Sequence, residues 1–531
     1  MYLIFDTETT GLPRNWKAPL TDADNWPRCI QIAWQLHDEK GHCIAHEDYL
    51  ILPEGFTIPY DSEKIHGIST ALAEKNGIPL VEVLEKFQVA LKQSEFAGGH
   101  NVSFDLNIMG AEFLRLQDTN PLEALPIIDT CTEETAALCR LPGGRGGKFK
   151  LPTLGELYVH LFGTDFAEAH NATADVEATA RCFFELFRKR QILPASIKDR
   201  ADLLQTLEAA LEAPVELIGL KHQNLKSAAA RLAQQTSEAQ QTLVPDFPLE
   251  QEALADAPFV HLHTHSQYSV LQSTSSIADI VNAAANDRMP AVTLTDHANL
   301  MGAFHFIKAV NKHNDSLEEG QPPLKPILGC EFFVCEDHLD RSRRDNGYQI
   351  VFIAKNKKGY ENLSIMSSIA YTKGFYYVPR IDKQIIETYK SDLIVLTGNL
   401  NGELPSKILN LGDNQAEEAL QWWHQQFGDD LYIELMRHQQ EDEKRANEVM
   451  LRLAKKYDIK IVATNNSYYT TKAEANAHDI LLCVKEGEKQ ATPIGRGRGF
   501  RYGFPNQEYY YKSQSEMKAL FADLPEAIIN I

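Results

Sequence analysis

Tyr2-Leu3-Ile4-Phe5-Asp6-Thr7-Glu8-Thr9-Thr10-Gly11 decides how the front of the chain folds. Its apolar, aromatic-rich start predicts a buried strand that delivers Asp6 and Glu8 near its end. Residues two apart on a strand face the same way. Both carboxylates are therefore expected at one spot, where their repulsion is costly unless a cation lies between them. The blander reading is a polar strand-to-turn exit that binds nothing, and the rest of the chain has to decide between the two.

The 531 residues are too many for one hydrophobic core and suggest about three units. No apolar run approaches the roughly 20 residues of a membrane span. The chain turns polar at Asp6, unlike a secretory leader. These features predict a cytoplasmic protein with no membrane partner. Eight cysteines without a C-x-x-C pair read as reduced thiols. A formal net charge of -21 argues against wholesale coating of nucleic acid, which phosphate neutralisation drives. It is compatible with a metal-dependent nuclease, whose clustered acids are unfavourable only until cations bind.

Beyond the first strand, Arg28 to His37 and His42 to Leu52 read as two antiparallel strands around the turn-like Asp38-Glu39-Lys40-Gly41. Ile65-His66-Gly67-Ile68-Ser69 opens a helical stretch, and Val81 to Leu91 is apolar at helical spacing. Phe96 to Asp105 reads as a short strand running into another helix, with Asp105 near that helix start. Helices are expected again at Thr153 to Phe162 and Ala174 to Arg190. The pattern His-Asn, three residues, Asp occurs twice, in His100-Asn101-Val102-Ser103-Phe104-Asp105 and in His170-Asn171-Ala172-Thr173-Ala174-Asp175. One copy is ordinary N-terminal helix chemistry. Two copies after a strand ending Asp-x-Glu supply four carboxylates and a nearby imidazole.

With those residues in place, 1–190 resembles the DnaQ-like 3′-to-5′ exonucleases that carry four acids and a histidine. The resemblance implies a ribonuclease H-like mixed sheet within an α/β fold. It implies that Asp6, Glu8 and Asp175 hold one metal, that Asp6 with Asp105 organises a second, and that His170 is the general base. His100 is expected to be structural. Two magnesium or manganese ions suit such hard oxygen ligands, and an imidazole with a pKa near 6.5 can take a proton from water near neutral pH. Thr10, His66 and Phe104 match segments that line the pocket for the terminal nucleotide in that family; loop capping or core packing explains them as well. The basic loop Arg140 to Lys150 is either a nucleic-acid grip or a solvated loop.

Residues 191–257 read as a helical segment and linker. Ser196 to Ala239 has helical periodicity, with strong formers from Leu225 to Ala233, and Pro245 to Ala257 is proline-containing and acidic. Gln240-Gln241-Thr242-Leu243-Val244-Pro245 loosely resembles peptides that bind sliding clamps, which places a clamp among the expected partners.

From Phe259 on, strand-like runs alternate with helices at Phe259 to Ser266, Ala291 to Thr295, Ile327 to Val334, Gln349 to Ala354, Leu393 to Leu396, Leu431 to Leu435 and Lys460 to Ala463. Such alternation predicts a parallel barrel with its site at the C-terminal strand ends. Those ends carry His263, His265, Asp296, His297, Glu331 and His438. With Thr295-Asp296-His297, Gly359-Tyr360-Glu361-Asn362-Leu363 and Tyr432-Ile433-Glu434-Leu435, residues 258–531 resemble the polymerase-and-histidinol-phosphatase (PHP) domain of bacterial DNA polymerase III alpha subunits. The resemblance implies a distorted (β/α)7 barrel, after which a polymerase palm would follow. Gln272, Gln349, Asn399 and Asn466-Ser467-Tyr468 stand where active members carry metal ligands. Amides and a phenol are poor ligands, so the expectation is a silent scaffold holding at most one zinc.

The combined expectation is a proofreading exonuclease that acts on mispaired 3′ ends of primer-template DNA, fused to a replicative polymerase in the nucleoid-associated cytoplasm with other replisome subunits as partners. An RNA-trimming exonuclease and a non-catalytic assembly module are the alternatives.

Overall fold

Strand β1 (Tyr2–Thr9) lies at the centre of a five-stranded sheet ordered β3-β2-β1-β4-β5. It pairs antiparallel with β2 (Cys29–His37) and parallel with β4 (Phe96–Gly99); β3 (Cys43–Leu50) and β5 (Ile127–Asp129) form the edges. The strand is apolar on both sides because helices cover both faces. Leu3 and Phe5 pack with Leu84 and Phe87 of α3 (Leu80–Gln93) and with Ile108 and Met109 of α4 (Ser103–Leu116). Tyr2 and Ile4 pack with Val176, Phe183 and Phe184 of α7 (Ala172–Arg188). Between these lie α1 (Tyr60–His66), α2 (Thr70–Asn76), α5 (Glu133–Cys139) and α6 (Leu154–Phe162). This is the ribonuclease H-like mixed sheet that the sequence predicts.

The computed structural model describes residues 1–117, 119–142, 148–166, 171–189, 215, 224–240, 254, 256–495 and 500–531. It divides into two compact units, Met1–Thr242 and Leu243–Ile531. Of the long helical stretch expected after α7, the helix Leu225–Gln240 is described, and it belongs to the first unit. The clamp-like segment beyond Gln240 and most of the acidic linker lie outside the described residues, as do 143–147 of the basic loop. Among the described residues no helix is long and apolar enough to cross a membrane.

The second unit is built on a seven-stranded curled sheet ordered β12-β11-β10-β8-β7-β6, with β9 paired to β7. The strands are β6 (Ala291–Leu294), β7 (Lys325–Cys335), β8 (Tyr348–Ala354), β9 (Arg380–Asp382), β10 (Leu393–Leu396), β11 (Leu431–Leu435) and β12 (Ile461–Ala463). Six of the expected strand runs are present, but the sheet is mixed, because β8 is antiparallel to both β7 and β10. A parallel step requires a crossover, usually a helix. The connection from Glu336 to Gly347 has none, so the chain simply turns back. The expected first strand, Phe259 to Ser266, forms an isolated bridge, Thr264 to Ser467, and not a ladder. Its backbone also accepts from Thr295, so it closes the gap between the two ends of the sheet.

Candidate active site

The two faces of β1 explain the arrangement of the first cluster. Asp6 and Glu8 continue the face of Tyr2 and Ile4, the face that α7 covers. Asp175 stands in the first turn of α7, behind the N-cap Asn171, whose Oδ1 accepts from the Thr173 N–H at 3.1 Å. The buried Gln31 on β2 fixes that helix end by accepting the Ala172 N–H at 3.3 Å. The result is a trio, Asp6, Glu8 and Asp175, whose ligand oxygens lie within 4.8 Å of one another. All three are partly buried.

Asp105 reaches the same region from the opposite face, on the first turn of α4, and is almost fully buried. Thr7, the residue between the two acids, donates to Asp105 Oδ1 twice, from its N–H at 3.0 Å and from its hydroxyl at 2.6 Å. Burial nevertheless pushes Asp105 up to about 7, with the two Thr7 bonds opposing the rise. Burial, then the charges of Asp175 and Asp105, push Glu8 up to about 8, with Lys226 pulling the other way. Asp6 is raised well above the ordinary carboxylate range by burial and by Asp105, Asp175 and Glu8. Asp6, Glu8 and Asp105 resist ionising together beside Asp175, which makes a donor set that a divalent cation relieves, and hard oxygens fit magnesium or manganese.

His170 lies outside the described residues; in sequence it immediately precedes the N-cap of α7. His100, the other His-Asn position, is tied down: its Nδ1 meets Thr130 Oγ1 at 2.9 Å and its Nε2 the Pro152 carbonyl at 3.1 Å, and burial lowers its pKa. Thr10 accepts the Arg28 N–H at 2.9 Å, which places it in the end of the β1–β2 ladder. His66 is buried at the end of α1, where its Nδ1 accepts the Ile68 N–H at 3.0 Å. Phe104, next to Asp105, packs its ring 5.8 Å from that of Trp16, which is 53% exposed. Sequence reasoning missed Trp16, Thr7 and Lys226. Thr7 was the accessible one, since it sits between the two acids. In the basic loop, Lys148 pairs with Glu133 and Lys150 with Glu156 at 2.5 and 2.7 Å, so both described lysines already have acidic partners.

The second unit gathers His263, His265, His297 and Glu331, all buried. His263, His265 and Glu331 have ligand atoms within 4.8 Å of one another and fit one small cation. Charged neighbours also face them, although His263 Nε2, His297 Nδ1 and Glu331 Oε2 are buried without a hydrogen-bond partner. His263 Nδ1 lies 2.8 Å from Glu434 Oε1 and its Nε2 3.2 Å from Glu331 Oε1; His297 Nδ1 lies 2.6 Å from Glu331 Oε2. Burial disfavours the charged imidazole of His263, but Glu434 and Glu331 outweigh it and hold the ring at about 10. Burial opposes ionisation of Glu331 too, yet His297 and His263 keep it well below the usual carboxylate range. The amides that replace expected ligands join this network: Asn399 Nδ2 donates to Glu331 at 3.1 Å and to Gln349 at 2.9 Å, and Asn466 Oδ1 meets His265 Nε2 at 3.0 Å.

Two expected ligands do not join. Asp296 accepts the Ser266 N–H and the hydroxyls of Ser266 and Ser269, each at 2.7 Å. His438 pairs with Glu443 at 2.6 Å and stacks on Tyr509 with centroids 4.0 Å apart. Glu434, unforeseen as a site residue, takes a central place; it sits in the Tyr432-Ile433-Glu434-Leu435 run, where an acid between buried apolar residues was its signal.

Residues 3–183 match the family model described as exonuclease, and residues 261–438 match that of the PHP domain. DNA polymerase III subunit alpha of Borreliella burgdorferi is 36% identical over 276 residues, 51% of this chain and 23% of that protein. The same subunit of Thermus aquaticus is 36% identical over 276 residues, 51% of this chain and 21% of that protein. The chain thus spans under a quarter of the length of these relatives. A zinc-bound complex of E. coli exonuclease I with single-stranded DNA is 23% identical with a TM-score of 0.29, over 36% of this chain and 41% of that one. Exonuclease I of Methylocaldum szegediense is 22% identical with a TM-score of 0.28, over 36% and 40% of the two chains. The chain therefore joins an exonuclease domain to a PHP domain.

Proposed function

We propose that the first unit is a magnesium-dependent 3′-to-5′ DNA exonuclease that removes mispaired terminal nucleotides, joined to a catalytically silent PHP scaffold of a replicative polymerase. The observation that carries this reading is the convergence of Asp6, Glu8 and Asp175 within 4.8 Å, with Asp105 clamped beside them by Thr7. Asp6, Glu8 and Asp175 hold one cation, and Asp6 with Asp105 organises the second. Two such cations supply Lewis acidity toward the attacking water and toward the leaving 3′-oxygen. The Thr7 bonds fix which oxygen of Asp105 remains available to the site. His170, which directly precedes the N-cap of α7 in sequence, takes the proton from the attacking water. The acid rise of Glu8 and Asp105 keeps the empty cluster partly protonated near neutral pH, so cation binding releases protons as it ionises them.

In the second unit, His263, His265 and Glu331 hold at most one zinc, and the ion pairs of His263 and His297 with Glu331 serve packing. DNA is the substrate; a sliding clamp and other replisome subunits are the partners, in the nucleoid-associated cytoplasm. The test is a time course of nucleotide release from a mismatched primer, with matched primer and single-stranded RNA beside it, with and without Mg²⁺. Release should require Mg²⁺ and Asp6, and the mismatched DNA should be degraded fastest. Equal or faster loss of RNA would favour the trimming activity instead.

A further inference from the structure

The helix Leu225–Gln240 comes from the stretch where the sequence offers no chemistry, yet it is built onto the exonuclease unit. Asn224 caps it: its Oδ1 accepts both the N–H and the hydroxyl of Ser227 at 2.8 Å. Leu225 and Ala229 are buried against Ile30, Ile58, Ile68, Leu72 and Ala73, with Ala228 and Leu232 packed alongside. These four positions form one apolar stripe, so the face of the helix is fixed. The stripe leaves Lys226 outward and exposed.

Its location is set by Gly67, which ends α1 with φ +79. A Cβ there would lie 2.4 Å from Lys226 Cγ and 2.8 Å from the Lys226 backbone nitrogen. The close approach therefore needs glycine twice over, for the left-handed turn and for the space. The same α1 lies by the end of β1, since a Cβ on Gly11 would meet Ser62 Oγ at 3.9 Å. Lys226 is thus an exposed lysine seated against the end of α1, the helix that lies by the end of β1 where Asp6 and Glu8 are delivered.

We propose that Lys226 is a substrate-binding residue of the exonuclease, its ammonium meeting a backbone phosphate of the strand whose 3′ end enters the acid cluster. The helix that carries it then completes the site and is not a mere spacer. This rests on the exonuclease reading above. A point charge on a flexible stem suits a phosphate, which carries no sequence information, so the contact positions the strand without selecting bases.

The experiment uses the full chain. Steady-state nucleotide release and, with Ca²⁺ in place of Mg²⁺, anisotropy of a labelled single-stranded DNA are measured from 50 to 200 mM KCl for the parent, Lys226→Ala, Lys226→Arg, Gly67→Ala and Asp6→Ala. Loss of one phosphate contact lowers the slope of log affinity against log salt by about 0.7 on a single strand. Lys226→Ala should show that change with KM raised about tenfold and kcat altered much less. Lys226→Arg should return to within about twofold of the parent, as an intact cation should. Gly67→Ala, which displaces the lysine without removing it, should resemble Lys226→Ala. Thermal melting separates these effects from unfolding: a variant with parent salt slope and lowered melting temperature would make Lys226 structural and overturn the proposal. Unchanged KM and slope in Lys226→Ala, or a gain in kcat/KM, would overturn it too, provided that the parent is active and Asp6→Ala is not. A parent with no Asp6-dependent release would instead remove the exonuclease reading, and this inference with it.

Discussion

Replacing Glu8 by glutamine should stabilise the cation-free protein at pH 8 while abolishing nucleotide release. Burial and the neighbouring acids raise Glu8 from its ordinary 4.5 to about 8. A carboxyl raised on folding destabilises the fold once it ionises: the unfolded chain loses its proton first, so stability is full below about pH 4.5 and falls as pH climbs toward 8. At 1.36 kcal/mol per pH unit the ceiling for an isolated group is about 5 kcal/mol. Asp6 and Asp105 are raised alongside Glu8 and titrate with it, so removing one acid recovers about half of that, roughly 2 kcal/mol. For a unit of this size that is a rise of about 4–8 °C in its melting temperature. The assay is calorimetry of parent and Glu8→Gln in EDTA at pH 5 and pH 8, repeated with Mg²⁺. The gain should be present at pH 8, small at pH 5, and reversed by Mg²⁺, which stabilises the parent more than the variant. A variant melting at or below the parent at pH 8 in EDTA, or one that gains as much from Mg²⁺, would show that the acids do not repel one another as described.

Thr7→Val keeps the shape of the side chain but removes the 2.6 Å bond to Asp105, so Asp105 should rise above its present value of about 7. The acidic limb of the pH–rate profile should then move up by about one unit, with activity recovering at higher pH; an unmoved limb would dissociate Asp105 from the rate. In the mismatched-primer assay, Asp175→Ala should abolish release and His170→Ala lower kcat by about 10²–10⁴, whereas His265→Ala should leave release nearly unchanged; loss in His265→Ala alone would transfer the chemistry to the second unit. Glu331→Gln strips the buried His263 and His297 of their shared acid and should destabilise the second unit by about 3–5 kcal/mol in urea titrations. A neutral effect there, together with loss of bound zinc by elemental analysis, would make Glu331 a metal ligand before it is a packing element.

The parity of a strand made much of the first cluster legible. Asp6 and Glu8 had to share a face, and the second His-Asn-x3-Asp copy put Asp175 at a helix start, where an acid belongs. What parity alone could not give is that Thr7, on the other face, reaches a second helix and clamps Asp105. That contact depends on which helix covers which side of the sheet. Lys226 was illegible for a similar reason: its stripe of Leu225, Ala228, Ala229 and Leu232 predicts a helix but not the surface it packs on. The direction of β8 could have been read from the charged, aperiodic link before it. Glu434 stood out as an acid between apolar strand residues, but its partner did not, since such an acid looks the same whether it faces solvent or a buried histidine. These cases separate the two sites physically. In the second unit the buried histidines stand against acids of the same chain: Glu434 and Glu331 raise His263, and His297 and His263 lower Glu331. In the first, burial and mutual repulsion raise Asp6, Glu8 and Asp105 together, and among the leading influences on Glu8 only Lys226 opposes the rise, so a divalent cation has much to relieve there. An acid cluster that its own fold leaves unbalanced holds a free-energy gradient for binding cations, and a phosphodiester brought to those cations meets the charge that its hydrolysis needs.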